Sequence, residues 1–140
     1  MISELPIVQV VGAAVLRDGR VLASRRTAPP WLAGFWEFPG GKVEADESDE
    51  QALYRELVEE LAVQAVIGAR VGPQVSIDGT AVLRVYLATI EGEPQLVDHD
   101  LHRWLSADEL DDVPWVAVDA PVVAALKTLM LATGNEATGS

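Results

Sequence analysis

The chain contains no cysteine. Disulfides, zinc–thiolate sites and thiol nucleophiles are therefore excluded. Positive charge is also scarce: ten Lys and Arg stand against 22 Asp and Glu, for a formal net charge of −12. Such a surface repels duplex DNA, RNA and anionic membranes. No apolar run approaches the length of a bilayer span. The opening MISELPIVQVVGAAVL has an early acidic residue and no basic stretch, so it does not read as a signal peptide. The expectation is a soluble, cytoplasmic chain, monomer or homodimer, with neither a nucleic-acid polymer nor a membrane as partner. A small anionic ligand stays admissible, because bound cations can reverse the local field.

Apolar material is plentiful. At 49% hydrophobic, the 140 residues suffice for one cored domain and are too few for two ordinary ones. No repeat or linker divides them. The domain is expected over residues 1–132, with the polar TGNEATGS of residues 133–140 as a flexible tail.

Ile7 to Leu16 is a nearly continuous apolar run, suited to a strand buried on both faces. Asp18-Gly19 is a turn signal, and Arg20 to Ser24 resumes a strand, giving a hairpin. Thr27 to Gly34, with two prolines and a Trp, reads as a loop. Glu47 to Leu61 has Ala52, Leu53, Leu57 and Leu61 at helical spacing, with Ser48 and Glu50 near its start. Val66 to Val75 and Thr80 to Ile90 read as strands, the first with a kink at Gly72-Pro73. Leu101 to Leu105 is another strand, and Ser106 caps a short helix to Leu110. Asp119 to Leu131 is a helix, with Asp119 as its cap and Pro121 in its first turn. The order implies a mixed α/β domain with helices covering a sheet.

The chemistry concentrates in GGKVEADESDEQALYRELVEELAV, residues 40–63. Glu56, Glu59 and Glu60 fall at i, i+3 and i+4, so their carboxylates share one helix face. Stacked like charges destabilise a bare helix and suit divalent cations. Hard oxygen ligands select Mg²⁺ or Mn²⁺ over zinc. Arg55 can orient the neighbouring Glu56 by a bidentate pair, and Glu47, two turns earlier, can pair with Arg55 instead. Gly40-Gly41 lets backbone approach a metal or phosphate closely. Taken alone, the acidic run reads equally well as a solvated helix face.

The spacing carries further. Gly41, five residues, Glu47, seven residues, Arg55-Glu56-Leu57, one residue, Glu59-Glu60, one residue, Ala62-Val63 resembles the Nudix box, with Ala62 where the pattern has Gly. Arg25-Arg26, GFWEFPGGK and RWLSADEL extend the likeness to MutT-type members along most of the chain. The resemblance implies the Nudix fold, an α/β/α sandwich around a mixed sheet. It also implies Mg²⁺-dependent hydrolysis of (d)NTPs to a monophosphate and pyrophosphate. Oxidised or modified nucleotides such as 8-oxo-dGTP, or CTP and (5-methyl-)dCTP, are the expected substrates, and clearing them from the nucleotide pool is the expected purpose. Hydrolysis of a nucleotide sugar or ADP-ribose, or a silent nucleotide-binding domain, are the alternatives.

By position, Glu56 resembles a general base or a base and metal ligand at once. Glu59 and Glu60 resemble metal ligands, joined by the Gly40 carbonyl, and Arg55 and Glu47 resemble orienting groups. Lys42 is placed to offset phosphate charge. Ala62 takes the place of a Gly that ends the helix in a left-handed conformation.

Four residues outside the helix bear on substrate choice. Arg26 can hold phosphate or stack on a base, or stand solvated. Phe38 belongs to the core and is close enough to the box to line a base pocket as well. Trp31, beside two prolines, can cover a base or simply be exposed. At Asp119, the 8-oxoguanine-hydrolysing members place an Asn. An ionised carboxylate only accepts hydrogen bonds, so Asp admits a cytosine amino group or the N1–H and N2–H₂ edge of a guanine. Asp98, His99, Asp100 and His102 read as a polar loop or as a further ligand source.

Overall fold

The computed structural model describes residues 6–138, with side chains to Thr133. Its centre is β1 (Val8–Arg17). One edge of β1 pairs in parallel with β6 (Ala81–Glu91), from Val8↔Ala81 to Val15↔Ala88. The other edge is shared. Its first half pairs antiparallel with β4 (Gly40–Lys42), and its far end with β2 (Arg20–Arg25). β2 carries β3 (Trp36–Glu37) and β7 (Leu101–Leu105), and β6 carries β5 (Gln64–Ile77). The result is one mixed seven-stranded sheet.

Period-two alternation along β1 divides the core. Val11, Ala13 and Val15 meet Ala52, Leu53, Leu57 and Leu61 of α1 (Asp49–Leu61). Ala14, with Val71 and Val85 of β5 and β6, meets Val122, Val123, Leu126 and Met130 of α2 (Ala120–Thr138). A helix therefore covers each face, as an α/β/α sandwich requires. Val11 through Val15 are buried without a break, which is why β1 reads as an unrelieved apolar run.

The turns follow their residues. Asp18 and Gly19 both have positive φ, at 53° and 75°, as a tight two-residue hairpin demands. The Gly72-Pro73 kink is a register shift between Val71 and Val75. A Cβ at Gly72 would lie 3.2 Å from the Val122 backbone, so glycine lets β5 pass close to α2.

Several boundaries differ from the sequence expectation. α1 starts at Asp49, not Glu47, because Ser48 caps it: its Oγ accepts the Gln51 N–H at 3.1 Å, and Gln51 Oε1 accepts the Ser48 N–H at 2.9 Å. The short helix after Ser106 is a 3₁₀ turn, Ala107–Asp112. α2 runs to Thr138, past Leu131, so the 133–140 tail is helical as far as it is described. Gly139 and Ser140 lie outside the described residues. The two-residue β3 and three-residue β4 have no periodicity long enough to announce them.

Ala62 closes α1 with φ 55° and ψ 41°, and its N–H donates to the Val58 carbonyl at 3.0 Å. A Cβ in this left-handed conformation is strained by roughly 1 kcal/mol. Ala62→Gly should therefore stabilise the fold by up to about 1 kcal/mol, raising Tm by about 2–4 °C in a thermal melt.

Candidate active site

Two glycines bring strand and helix together. Gly40 pairs with Gly12 of β1, and a Cβ there would overlap the Val11 carbonyl. A Cβ at Gly41 would overlap the Glu56 carboxylate. The Gly40 N–H donates to Glu60 Oε2 at 3.0 Å. Only a glycine pair lets α1 press its carboxylates this close to the β4 backbone.

Arg55 organises the acidic residues. Its Nε and one terminal nitrogen donate to the two Glu47 oxygens at 2.8 and 2.9 Å. The other terminal nitrogen donates to Glu56 at 2.8 Å and Glu59 at 3.4 Å. A further bond, at 3.0 Å, reaches the Lys42 carbonyl and ties α1 to β4. The Arg55 hydrogen bond holds the Glu47 carboxyl down at about 2, and Glu47 and Glu56 push the guanidinium up. Burial outweighs Arg55 at Glu56, whose pKa is raised. Burial also raises Glu60, to about 8, with Glu56 and Glu37 adding like charge and His99 and the Gly40 N–H opposing.

Glu60, Gly40, Gly41 and Lys42 form one end of a cleft of about 550 Å³, within the range of small-molecule sites. Glu56 stands behind Gly41. Glu59 is exposed and does not line the cleft. A second pocket, of about 350 Å³, adjoins it through Arg26, Glu37 and Glu60. Arg26 donates to Glu37 at 2.7 Å and to the Ala28 carbonyl at 3.1 and 2.9 Å. His99, only 7% exposed, places Nε2 2.9 Å from the other Glu37 oxygen. Its Nδ1 has no partner among the described residues.

Glu37 carries no signal of its own in the sequence, and the sequence leaves His99 open between a polar loop and a further ligand source. Glu37 lies inside the quoted EFPGGK and pairs with nothing near in sequence. His99 sits in a segment that reads as a polar loop, and its burial depends on a contact 62 residues away. Its neighbours do stay outside: Asp98 and Asp100 are exposed, and Asp100 pairs with Arg25 at 2.8 Å rather than with the site.

Phe38 and Asp119 line the same cleft. Phe38 does both things expected of it. It is buried, with its ring 4.8 Å from Trp115, and it lines the cleft. Asp119 is not the cap of α2. It ends a 3₁₀ turn, Ala117–Asp119, and its Oδ2 accepts the Phe38 N–H at 3.2 Å. That turn is anchored to β3, since Trp36 N–H donates to the Pro114 carbonyl and Val116 N–H to the Trp36 carbonyl. At 4% exposure, burial pushes the Asp119 carboxyl up to about 7.

Among the described residues, no three His, Asp or Glu side chains already enclose a metal position. The donor set nevertheless fits a hard divalent cation. Glu56 and Glu60 are carboxylates raised by burial and by like charge, from Glu59 and Glu44 at Glu56 and from Glu56 and Glu37 at Glu60, beside backbone carbonyls of a glycine loop. A cation placed among them relieves that repulsion.

Comparison with known proteins agrees with this geometry. Residues 6–126 match the NUDIX domain. The putative 8-oxo-dGTP diphosphatase 2 of Mycobacterium tuberculosis is 45% identical over 121 residues, covering 84% of this chain and 86% of that protein. The CTP pyrophosphohydrolase of Escherichia coli is 37% identical over 131 residues, covering 91% and 97% respectively. Among solved structures, that of the E. coli ORF135 protein aligns with a TM-score of 0.77 at 36% identity, covering 90% of this chain and 92% of that one. The matched span contains the entire sheet, all of α1 and the cleft between them, and the chain belongs to the Nudix hydrolase family.

Proposed function

We propose that the chain is a Mg²⁺-dependent nucleoside triphosphate pyrophosphohydrolase that releases a nucleoside monophosphate and pyrophosphate. One observation carries the reading: a single cleft is lined by Glu60 and the Gly40-Gly41-Lys42 backbone, by the apolar side chains of Phe38, Leu83, Val116 and Val118, and by the buried carboxyl of Asp119. The two relatives described above bear the names of triphosphate hydrolases, which supports it.

Nudix hydrolases use divalent ions, and Mg²⁺, or Mn²⁺ in its place, suits all-oxygen donors. Glu56, Glu59, Glu60 and the Gly40 carbonyl would hold the metal. When bound, it supplies charge neutralisation and Lewis acidity at phosphorus. Glu56, whose pKa burial raises, accepts the proton of the attacking water. Arg55 and Glu47 keep Glu56 in place. Lys42 and Arg26, at the cleft, attract the phosphate chain.

Asp119 reads the base edge. Oδ2 is engaged by Phe38, and Oδ1 remains for the ligand. With its pKa near neutrality, the carboxyl can accept when ionised and donate when protonated. Both a cytosine amino group and an oxidised-guanine edge are therefore compatible with it.

Three results test this reading. In a Mg²⁺ assay against 8-oxo-dGTP, CTP, dCTP, 5-methyl-dCTP and ADP-ribose, pyrophosphate should appear from at least one triphosphate. Turnover of ADP-ribose alone would overturn the reading. Glu56→Gln should lower kcat by about 10²–10⁴-fold with the fold intact by circular dichroism. Mg²⁺ should raise the Tm of the wild type, and raise it less in Glu60→Gln.

Asp119→Asn should change the ranking of bases, and unchanged ranking would reduce Asp119 to a strut for Phe38. Its effect on stability has a definite sign. An unfolded Asp releases its proton at about 3.9, whereas the folded carboxyl holds it to about 7. The native state binds more protons across that window, so Asp119 makes stability fall as pH rises through it. Melts at pH 4 to 8 should show a flatter profile for Asp119→Asn than for the wild type.

A further inference from the structure

We propose that Trp31 is the stacking platform that grips the base of the bound nucleotide from the solvent side of the cleft. The inference rests on the triphosphate reading above and concerns a residue to which that reading assigns nothing.

Trp31 is one of four tryptophans, and the other three have structural work. Trp36 is 5% exposed in the core. Trp115 donates its Nε1–H to the Leu110 carbonyl at 2.7 Å. Trp104 lies beneath the Arg17 guanidinium, 5.0 Å from its ring centre. Trp31 is 75% exposed, yet it lines the same cleft as Phe38 and Asp119. A large aromatic left in water at a cleft wall is a binding surface in need of a partner.

Its placement is built by backbone. The Leu32 and Ala33 N–H groups both donate to the Pro29 carbonyl, at 2.9 and 3.0 Å, folding residues 29–33 into a compact turn. The turn is closed below by Gly34 N–H to the Arg26 carbonyl at 2.9 Å and Arg26 N–H to the Phe35 carbonyl at 2.8 Å. The Arg26 guanidinium holds the Ala28 carbonyl from the other side. Trp31 is thus presented by a stiff loop that does not use its indole for support. Ile77, Leu83 and Val118 line the same cleft and give it apolar surface for a flat ligand.

The chemistry favours a neutral heterocycle. Stacking on an indole requires a π-face and no charge, so a net charge of −12 does not oppose it. Every base has such a face, so stacking sets the strength of grip, while hydrogen bonding at Asp119 sets base identity.

The test compares wild type, Trp31→Ala and Trp31→Phe in Mg²⁺ with the preferred triphosphate, a second triphosphate of different base, and inorganic tripolyphosphate as a base-free inhibitor. Trp31→Ala should raise KM for both nucleotides by a similar factor of about 5–100, with the effect on KM rather than kcat. Trp31→Phe should recover most of the loss. Inhibition by tripolyphosphate should match that of the wild type. Unchanged nucleotide KM in an active Trp31→Ala overturns the proposal and leaves the triphosphate reading standing. An equal loss for nucleotides and tripolyphosphate also overturns it, since Trp31 would then shape the loop alone. A wild type that turns over no triphosphate overturns the functional reading and this inference together.

Discussion

Arg55 is surrounded by four carboxylates, those of Glu44, Glu47, Glu56 and Glu59, at 2.8 to 3.7 Å. Two like charges 4 Å apart repel by about 4 kcal/mol at an effective dielectric of 20. One guanidinium with five donors in a fixed plane offsets several such terms at once, and Lys could not replace its fork. The site depends on this arrangement in two ways. It lets a helix carry clustered acid without melting, and it aims Glu56 at the glycine loop. Arg55 leaves Glu60 untouched, so the most strongly shifted carboxylate of the cluster is the one that faces the cleft.

The sheet supplies the other half of the constraint. Val11 to Val15 of β1 are buried and the strand pairs along both edges, so the position of Gly12 is fixed to within the packing tolerance of the core. Gly40 pairs with Gly12, and Gly41 lies under Glu56. A methyl group at Gly40 would force β4 away from β1, and one at Gly41 would displace the Glu56 carboxylate. The acidic end of the cleft is therefore defined by three rigid pieces with no loop between them and their ligands. Catalysis gains from such preorganisation, because groups already in place need no rearrangement during reaction.

Much of this end was legible in the sequence. Helical spacing places Glu56, Glu59 and Glu60 together, and the Glu47–Arg55 pair is a local contact eight residues long. The left-handed Ala62 follows from its position at a helix end. Other features depend on long-range contacts that no local pattern encodes. Asp119 precedes Ala-Pro at a helix start and so reads as a cap, yet its carboxyl crosses to Phe38, 81 residues away. His99 is drawn inward by Glu37, while the adjacent Asp100 is held outside by Arg25. Spacing places Glu56, Glu59 and Glu60 on one helix face, but neighbouring elements half-bury Glu56 and Glu60 and leave Glu59 in water.

The difference in legibility follows how the two ends are built. The acidic end comes from one continuous segment, so its chemistry is written as a motif. The rest of the cleft is assembled from a loop after β2, the end of β5 with the turn that follows it, and the turn before α2. The turn before α2 is tied to β3 and the residue after it through the backbone bonds between Trp36 and residues 114–116 and through the Phe38 N–H to Asp119. Substitution in any one of them alters the cleft without disturbing Arg55 or the glycine pair. A scaffold of this kind can keep one phosphorus chemistry while its base preference changes, and relatives named for an oxidised purine and for a pyrimidine nucleotide are what such independence permits. In this chain a buried carboxyl and an exposed indole line the cleft from different segments, so on the proposed reading base identity and base grip fall to different residues.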